Sequence, residues 1–184
     1  MRKLIYAFNL TLDGCSEHVK QFVDTEMLED YTQMLETADT FVYGRKTYQI
    51  MVPYWPDVLT EPSASKADAD FARAFVSRKK VVFSRTLEKI DHPNTRLVRG
   101  DLREEVCKMK QEPGKDIIVG GVEVPSELLK LGLIDEFRFL FGPVLVGQGR
   151  RLFENVRLPE KQRLKLRETK VLNSGCIVVR YSRE

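Results

Sequence analysis

The chain has 184 residues, a mass of 21.3 kDa and 30 basic against 27 acidic side chains, so its formal charge is +3. With 42% hydrophobic and 31% charged residues, the composition is typical of a folded globular protein and excludes intrinsic disorder. No apolar run reaches ~18 residues, which excludes a transmembrane helix, and the small, evenly spread charge does not indicate nucleic-acid binding.

The length predicts one domain over residues 1–184. The basic and then apolar N-terminus lacks a small-residue cleavage site, so we expect no signal peptide. The three cysteines form no CxxC pair, and the two histidines, His18 and His92, have no cysteine at zinc-site spacing. These features predict a reducing, cytoplasmic location and no metal site.

The first predicted element is a buried strand over Lys3–Leu12, which ends at the turn Asp13-Gly14. A helix follows over Asp24–Ala38, with Asp24 as its N-cap. A short strand at Thr40–Tyr43 then leads into a helical segment that begins at Gly44 and ends near Pro53, ahead of a loop marked by Pro56 and Pro62.

The middle of the chain repeats this alternation of helix and strand. A helix is predicted over Ser65–Arg78, and a capping box at Asp101 predicts another that stops at Pro113-Gly114. The strands predicted between these helices are Val81–Ser84 and Arg96–Arg99.

The C-terminal third begins with a strand, Asp116–Val119, that runs directly into Gly120-Gly121. A helix around Ser126–Leu131 and a strand at Glu136–Phe141 follow. Two alternating runs, Leu164–Leu172 and Cys176–Ser182, are joined by Asn173-Ser174-Gly175 and are typical of an antiparallel hairpin.

This order of elements predicts the α/β class. Strands that alternate with helices form a mixed, mostly parallel sheet with helices on both faces, and the hairpin adds two antiparallel strands at the C-terminus. Ligands of such sheets bind beyond the carboxyl ends of the strands.

Three short strands are followed by residues that can bind anions. The segments are Gly44-Arg45-Lys46-Thr47, Ser84-Arg85 and Gly120-Gly121. Glycines let backbone amides approach phosphate oxygens, helix starts add a favourable dipole, and arginine offers bidentate donors. Taken singly, each pattern is also typical of an ordinary turn, and Gly120-Gly121 is not the GxGxxG fingerprint. Together they favour a ligand with two separate phosphate groups, such as NADPH.

With these motifs the sequence resembles the dihydrofolate-reductase-like superfamily. The resemblance is greatest to the branch that contains the reductase domain of bifunctional riboflavin-biosynthesis deaminase-reductases and its stand-alone relatives. The matching segments span nearly the whole chain: Thr11–Gly14, Gly44-Arg45-x-Thr47-Tyr48, Val82–Arg85, Gly120-Gly121, Gly132–Glu136 and Pro143–Phe153.

The resemblance implies a dihydrofolate-reductase-like three-layer fold, NADPH as the hydride donor and a homodimer. By position, Gly44, Arg45 and Thr47 would lie around the cofactor pyrophosphate and adenosine, and Ser84 and Arg85 would bind the 2′-phosphate.

The resemblance also implies contacts from the other side of the cofactor. Gly120, Gly121 and the amides of Val122 and Glu123 would cover the pyrophosphate, and the backbone near Leu10 would lie beside the nicotinamide together with the turn at Asp13.

The sequence departs from its relatives at the substrate. Dihydrofolate reductases carry a buried carboxylate on the first long helix, and its counterpart here is about Leu28. Asp24 and Glu29 are the nearby acids that could take its place, and Asp24 is better explained as a helix cap. Riboflavin-pathway reductases have an acidic pair before a proline, where this chain has Met51-Val52.

Other side chains are candidates for the substrate pocket. Tyr48, Met51, Tyr54 and Trp55 could line it, with the aromatic rings as a floor for a flat heterocycle, or Tyr54-Trp55 would anchor a loop. Asp13 would either fasten the turn or assist protonation.

The sequence therefore predicts an NADPH-dependent reductase of a small heterocyclic, pterin- or pyrimidine-like substrate. The alternatives are a non-catalytic nucleotide-binding or dimer-scaffold protein of the same fold, and a phosphate-ester-binding protein unrelated to redox chemistry.

Overall fold

The computed structural model describes residues 1–17, 23–158 and 160–184; His18 lies outside these ranges. The helices are α1 Thr25–Thr37, α2 Arg45–Val58, α3 Lys66–Ser77, α4 Leu102–Gln111 and α5 Glu123–Lys130. The strands are β1 Leu4–Thr11, β2 Ala38–Gly44, β3 Lys79–Phe83, β4 Thr95–Val98, β5 Asp116–Val119, β6 Glu136–Gly142, β7 Leu164–Val171 and β8 Ile177–Arg183. No helix of this described part is long and apolar enough to cross a membrane.

The strands form one sheet in the order β4-β3-β2-β5-β1-β6-β8-β7. The first six strands of this order are parallel to one another. Strand β8 pairs antiparallel with β6, and β7 pairs antiparallel with β8. The predicted mixed sheet with a C-terminal hairpin is therefore confirmed. Because β3, β2, β5 and β1 are consecutive and parallel, their carboxyl ends share one edge.

Two apolar cores lie on opposite faces of the sheet. Helices α1, α2 and α3 pack on one face around Leu35, Val52 and Phe75. Helices α4 and α5 pack on the other around Val106 and Leu128. The three-layer arrangement predicted from the alternating elements is confirmed.

Helix α2 is longer than predicted, because it continues through Pro53 and Pro56 to Val58. Its buried side chains, Tyr48, Val52 and Trp55, follow one another at intervals of four and three residues on a single helical face. Packing of that face offsets the two backbone hydrogen bonds that the prolines cannot donate. The predicted stop near Pro53 and the loop at Pro56 are wrong for this reason.

Helix α5 begins at Glu123, three residues earlier than the predicted start at Ser126. The reason is that Pro125 lies in the first turn, where backbone N–H groups have no acceptor within the helix. The helix therefore follows almost directly on Gly120-Gly121, which brings its first turn to the edge of the sheet.

Candidate active site

Two helices begin at the shared edge without a side-chain cap. Gly44 precedes α2 and Val122 precedes α5, and neither supplies a capping hydrogen bond. By contrast, α1, α3 and α4 are capped by Asp24, Ser65 and Asp101. The first-turn N–H groups of α2 and α5 thus keep their capacity to bind an anion, which the helix dipole favours.

These two helix starts lie against each other. Gly121 has a φ of +89°, and a Cβ atom at this position would lie 2.3 Å from Thr47 Oγ1. A Cβ on Gly44 would lie 3.2 Å from Val124. The Tyr6 hydroxyl, on the neighbouring strand β1, donates a 2.8 Å hydrogen bond to the Gly121 carbonyl and holds this turn. The structure therefore brings Gly44, Thr47 and Gly121 to one place.

The end of β3 lies one strand further along. Phe83 pairs with Gly44 in the sheet, so Ser84 and Arg85 follow beside the start of α2. The Ser84 hydroxyl accepts hydrogen bonds from the amides of Thr86 (3.2 Å) and Leu87 (3.0 Å), which shapes the loop that carries Arg85.

Arg99 fastens this same loop from β4. Its guanidinium donates to the carbonyls of Arg85 (3.2 Å), Leu87 (2.6 Å) and Glu88 (2.9 Å). Sequence reasoning missed Arg99, because a single arginine after a strand carries no distinguishing signal. The side chains of Arg45 and Arg85 are exposed, and within the described ranges neither forms an ion pair.

A carboxylate with two cations lies at the start of α5. Glu123 Oε1 is 3.6 Å from Lys46 Nζ on α2 and 3.6 Å from an Arg150 nitrogen. Glu123 and Arg150 line a cavity of about 300 Å³ between α5 and residues 150–156. Burial raises the pKa of Tyr6 far above its ordinary value, and the positive charge of Arg150 opposes that rise. Arg150 lines the same cavity as Val122, the residue that follows Gly121.

A second, mostly apolar depression of about 360 Å³ lies at the ends of β1 and β6. Leu10 and Asp13 line it, and three phenylalanines supply most of its apolar character: Phe139, Phe141 and Phe153. Sequence reasoning missed these aromatic rings. The alternation of phenylalanine along Phe137-Arg138-Phe139-Leu140-Phe141 was the available signal that one face of this strand is aromatic.

Asp13 is occupied as a hydrogen-bond acceptor. Its carboxylate accepts from the Thr11 hydroxyl (2.7 Å) and from the amides of Gly147 (2.9 Å) and Val146 (3.4 Å). The Thr11 hydrogen bond is the main cause that lowers the pKa of Asp13 to about 2, and the two amides add to it. Asp13 is therefore ionised at neutral pH and ties the turn after β1 to residues 146–147.

The acidic residues predicted near the start of α1 do not form a buried carboxylate site. Asp24 caps the helix by accepting from the Met27 amide at 2.8 Å, Leu28 is buried in the core, and Glu29 is exposed. The buried carboxylate of α1 belongs instead to Asp30, whose side chain is 6% exposed. Asp30 was not among the site residues predicted from the sequence.

Asp30 is neutralised by cations from the sheet. It forms an ion pair with Arg138 on β6, and Lys170 on β7 lies 3.3 Å away. Arg138 lies 5.5 Å from the centre of the Tyr31 ring, and the Tyr31 hydroxyl donates to Asn9 Oδ1 at 2.5 Å. Burial raises the pKa of Tyr31 to about 12, so this donor keeps its proton at neutral pH. The signal for the cluster was Arg138, a charge between two phenylalanines.

The predicted aromatic floor lies in the core beneath α2. The ring centres of Trp55 and Phe71 are 4.5 Å apart, and those of Tyr48 and His92 are 5.8 Å apart. Met51 is half-buried in the same cluster. These side chains lie on the α1 face of the sheet, whereas the depression beside Leu10 lies on the opposite face. The structure does not bring Tyr48, Met51 and Trp55 to the Leu10 depression.

The sheet order, the flanking helices and the C-terminal hairpin define a dihydrofolate-reductase-like α/β protein. The chain belongs to the RibD C-terminal domain family, whose model matches residues 2–179.

Individual relatives agree with this assignment. The chain is 33% identical over 184 residues to the uncharacterized protein YyaP of Bacillus subtilis, covering 98% of this chain and 94% of YyaP. A putative riboflavin biosynthesis protein from Shewanella sp. PV-4 has a similar fold, with a TM-score of 0.72, 20% identity and 99% coverage of both chains.

A bifunctional enzyme shares the same fold over part of its length. The deaminase/5-amino-6-(5-phosphoribosylamino)uracil reductase of Thermotoga maritima matches with a TM-score of 0.68 and 13% identity. The match covers all of this chain and 57% of that one.

Proposed function

We propose that the protein is an NADPH-dependent reductase of a small, flat heterocycle of the pterin or pyrimidine type. Membership of the RibD C-terminal domain family supports a reductase, and reductase domains of this family generally use NADPH. The observation that carries the proposal is the contact between the uncapped starts of α2 and α5, at the carboxyl ends of adjacent parallel strands.

The residues at this edge fit a dinucleotide phosphate. The first-turn amides of α2 and α5 would hold the pyrophosphate, and the absence of a Cβ at Gly121 lets the turn before α5 lie against Thr47 of α2. Arg85, with Arg45 on the neighbouring strand end, would bind the 2′-phosphate, because guanidinium donors match phosphate oxygens in a bidentate manner. NADPH bound there would supply the hydride.

The chain's part in the reaction is to orient and shield the reacting rings. The depression beside Leu10, with the rings of Phe139, Phe141 and Phe153, offers an apolar wall against which a flat heterocycle would stack. Asp13 accepts hydrogen bonds from Thr11 and from residues 146–147, and Asp30 is paired with Arg138. We therefore propose that the substrate receives its proton from water.

Cofactor selectivity tests the proposal. Thermal denaturation and calorimetric titration should show binding of NADPH, and a ligand at ~100 times its Kd adds roughly 2.7 kcal/mol of stability. Arg85→Ala should weaken NADPH binding about tenfold and leave NADH binding unchanged, because only the 2′-phosphate loses its partner.

Arg73→Ala is the matched control, since Arg73 is an exposed arginine on α3 that pairs with Asp70. It should bind both cofactors as the unmodified protein does. Absence of any NADPH binding at millimolar concentration would refute the proposal.

A second candidate function is nucleotide binding without catalysis. It is favoured by the engagement of Asp13, Asp24 and Asp30 in hydrogen bonds and ion pairs, which leaves none of the three free to protonate a substrate. It predicts NADPH binding without oxidation in the presence of pterins, pyrimidines or imines. Turnover of any of these compounds rules it out, and equal stabilisation by ATP and NADPH would favour a phosphate-ester-binding protein instead.

A further inference from the structure

Glu123 lies at the uncapped start of α5, where the proposed site would bind the cofactor phosphate. It is the first residue of α5, and its carboxylate lies between Lys46 in the first turn of α2 and Arg150 beyond β6. One negative group thus bridges cations from both walls of the cleft. We propose that Glu123 is an internal competitor for the cofactor phosphate and so sets the affinity for NADPH. This inference rests on the proposed function.

The geometry indicates an electrostatic contact and not a structural anchor. Both distances from Glu123 are 3.6 Å, longer than a hydrogen bond, and its side chain is 65% exposed. Lys46 is 69% exposed and Arg150 34%. Exposed pairs at this separation contribute little to folding, so the carboxylate is readily displaced.

The local charge explains why the carboxylate matters for a ligand. Arg150 also lies 3.9 Å from Glu154, so two cations face two carboxylates and the cluster is neutral. An arriving phosphate must take Lys46 and Arg150 away from Glu123 and then lie close to that carboxylate. Both effects oppose binding, although the free amides of α5 favour it.

The position of Arg150 supports this assignment. It lines the 300 Å³ cavity together with Glu123 and with Val122, the residue that follows Gly121. Arg150 therefore reaches the same turn that would cover the pyrophosphate. Glu123 was predicted to bind only through its amide, Lys46 only as part of the anion-binding segment after β2, and Arg150 was not predicted to bind.

Replacing Glu123 by glutamine tests the inference, because it removes the charge and keeps the shape. Calorimetric titration of Glu123→Gln with NADPH should give a Kd about threefold to tenfold lower than that of the unmodified protein at low salt. The gain should shrink at high salt, because mobile ions screen exposed charges.

Glu104→Gln is the matched control. Glu104 is an exposed glutamate in the first turn of α4, so this variant makes the same change in net charge, also in a first helical turn, away from the cluster. It should leave the Kd for NADPH unchanged. Circular dichroism of both variants checks that they fold.

Each outcome decides a different question. If the unmodified protein binds NADPH and Glu123→Gln binds it equally or more weakly, Glu123 is not a competitor, and the proposed function stands. If neither protein binds NADPH, the proposed function fails and this inference fails with it. An equal gain in Glu104→Gln would mean that net charge alone is responsible, which also overturns the inference.

Discussion

Substitution of Gly121 by alanine probes the contact on which the proposed site depends. Two costs are expected. The φ of +89° is strained for a residue with a Cβ, at about 1–2 kcal/mol. In addition, the new Cβ would lie 2.3 Å from Thr47 Oγ1, so the first turn of α2 or the threonine itself must move, at about 1–3 kcal/mol.

The chain offers a control that carries only the first cost. Gly14 has a φ of +81° and no atom within 4 Å of the Cβ position, so Gly14→Ala should lose about 1–2 kcal/mol. Gly121→Ala should lose about 2–5 kcal/mol. In the double variant Gly121→Ala/Thr47→Ala the steric cost disappears, because the Thr47 Cβ lies at an ordinary 3.4 Å.

Urea denaturation gives these free energies of unfolding, and in thermal unfolding each 1 kcal/mol corresponds to roughly 2–4 °C for a chain of this length. A Gly121→Ala variant no less stable than Gly14→Ala would contradict the steric cost assigned to Thr47. Failure of Thr47→Ala to restore stability would show that the contact with α2 is not the cause.

Three further predictions concern acid stability, the buried ion pair and assembly. The Thr11 hydroxyl holds the pKa of Asp13 at about 2, below its ordinary 3.8, so this contribution to stability is present above about pH 4 and is lost as the pH falls towards 2. Asp13→Asn should therefore be less stable than the unmodified protein at neutral pH and equal to it near pH 2. Arg138→Met should cost about 3 kcal/mol in urea denaturation, because it leaves the Asp30 carboxylate buried with Lys170 as its remaining partner, and adding Asp30→Leu should restore part of the loss. We propose a homodimer through the exposed apolar face of β7 and β8, so light scattering should give twice 21.3 kDa, and Val171→Asp should reduce it to a monomer because Val171 is 68% exposed on that face.

Each of these predictions has a contradicting outcome. A constant difference between Asp13→Asn and the unmodified protein from pH 7 to pH 2 would contradict the first. A double variant as unstable as the sum of its single changes would contradict the second, since paired charges do not act independently. A monomeric unmodified protein would contradict the third.

Local chemistry made much of the fold predictable. The caps Asp24 and Asp101 bind their helix amides, and the turn at Asn173-Ser174-Gly175 joins β7 to β8, because such signals act within three or four residues. The predicted helix end at Pro53 was wrong. A proline removes one local backbone hydrogen bond, but packing of the buried face of α2 against the core keeps the helix intact. Helix boundaries of this kind depend on packing that a local pattern does not contain.

Alternation, caps and glycine turns are properties of neighbouring residues, so they were enough to predict the order of the elements, the mixed sheet, and the three strand ends that carry Arg45, Arg85 and Gly121. Which charges meet depends on the folded chain. It paired Asp30 with Arg138 across 108 positions of the chain, and it set Glu123 between Lys46 and Arg150. Electrostatic contacts depend on distance in space, and only the packing of helices and loops on the sheet brings such distant residues together.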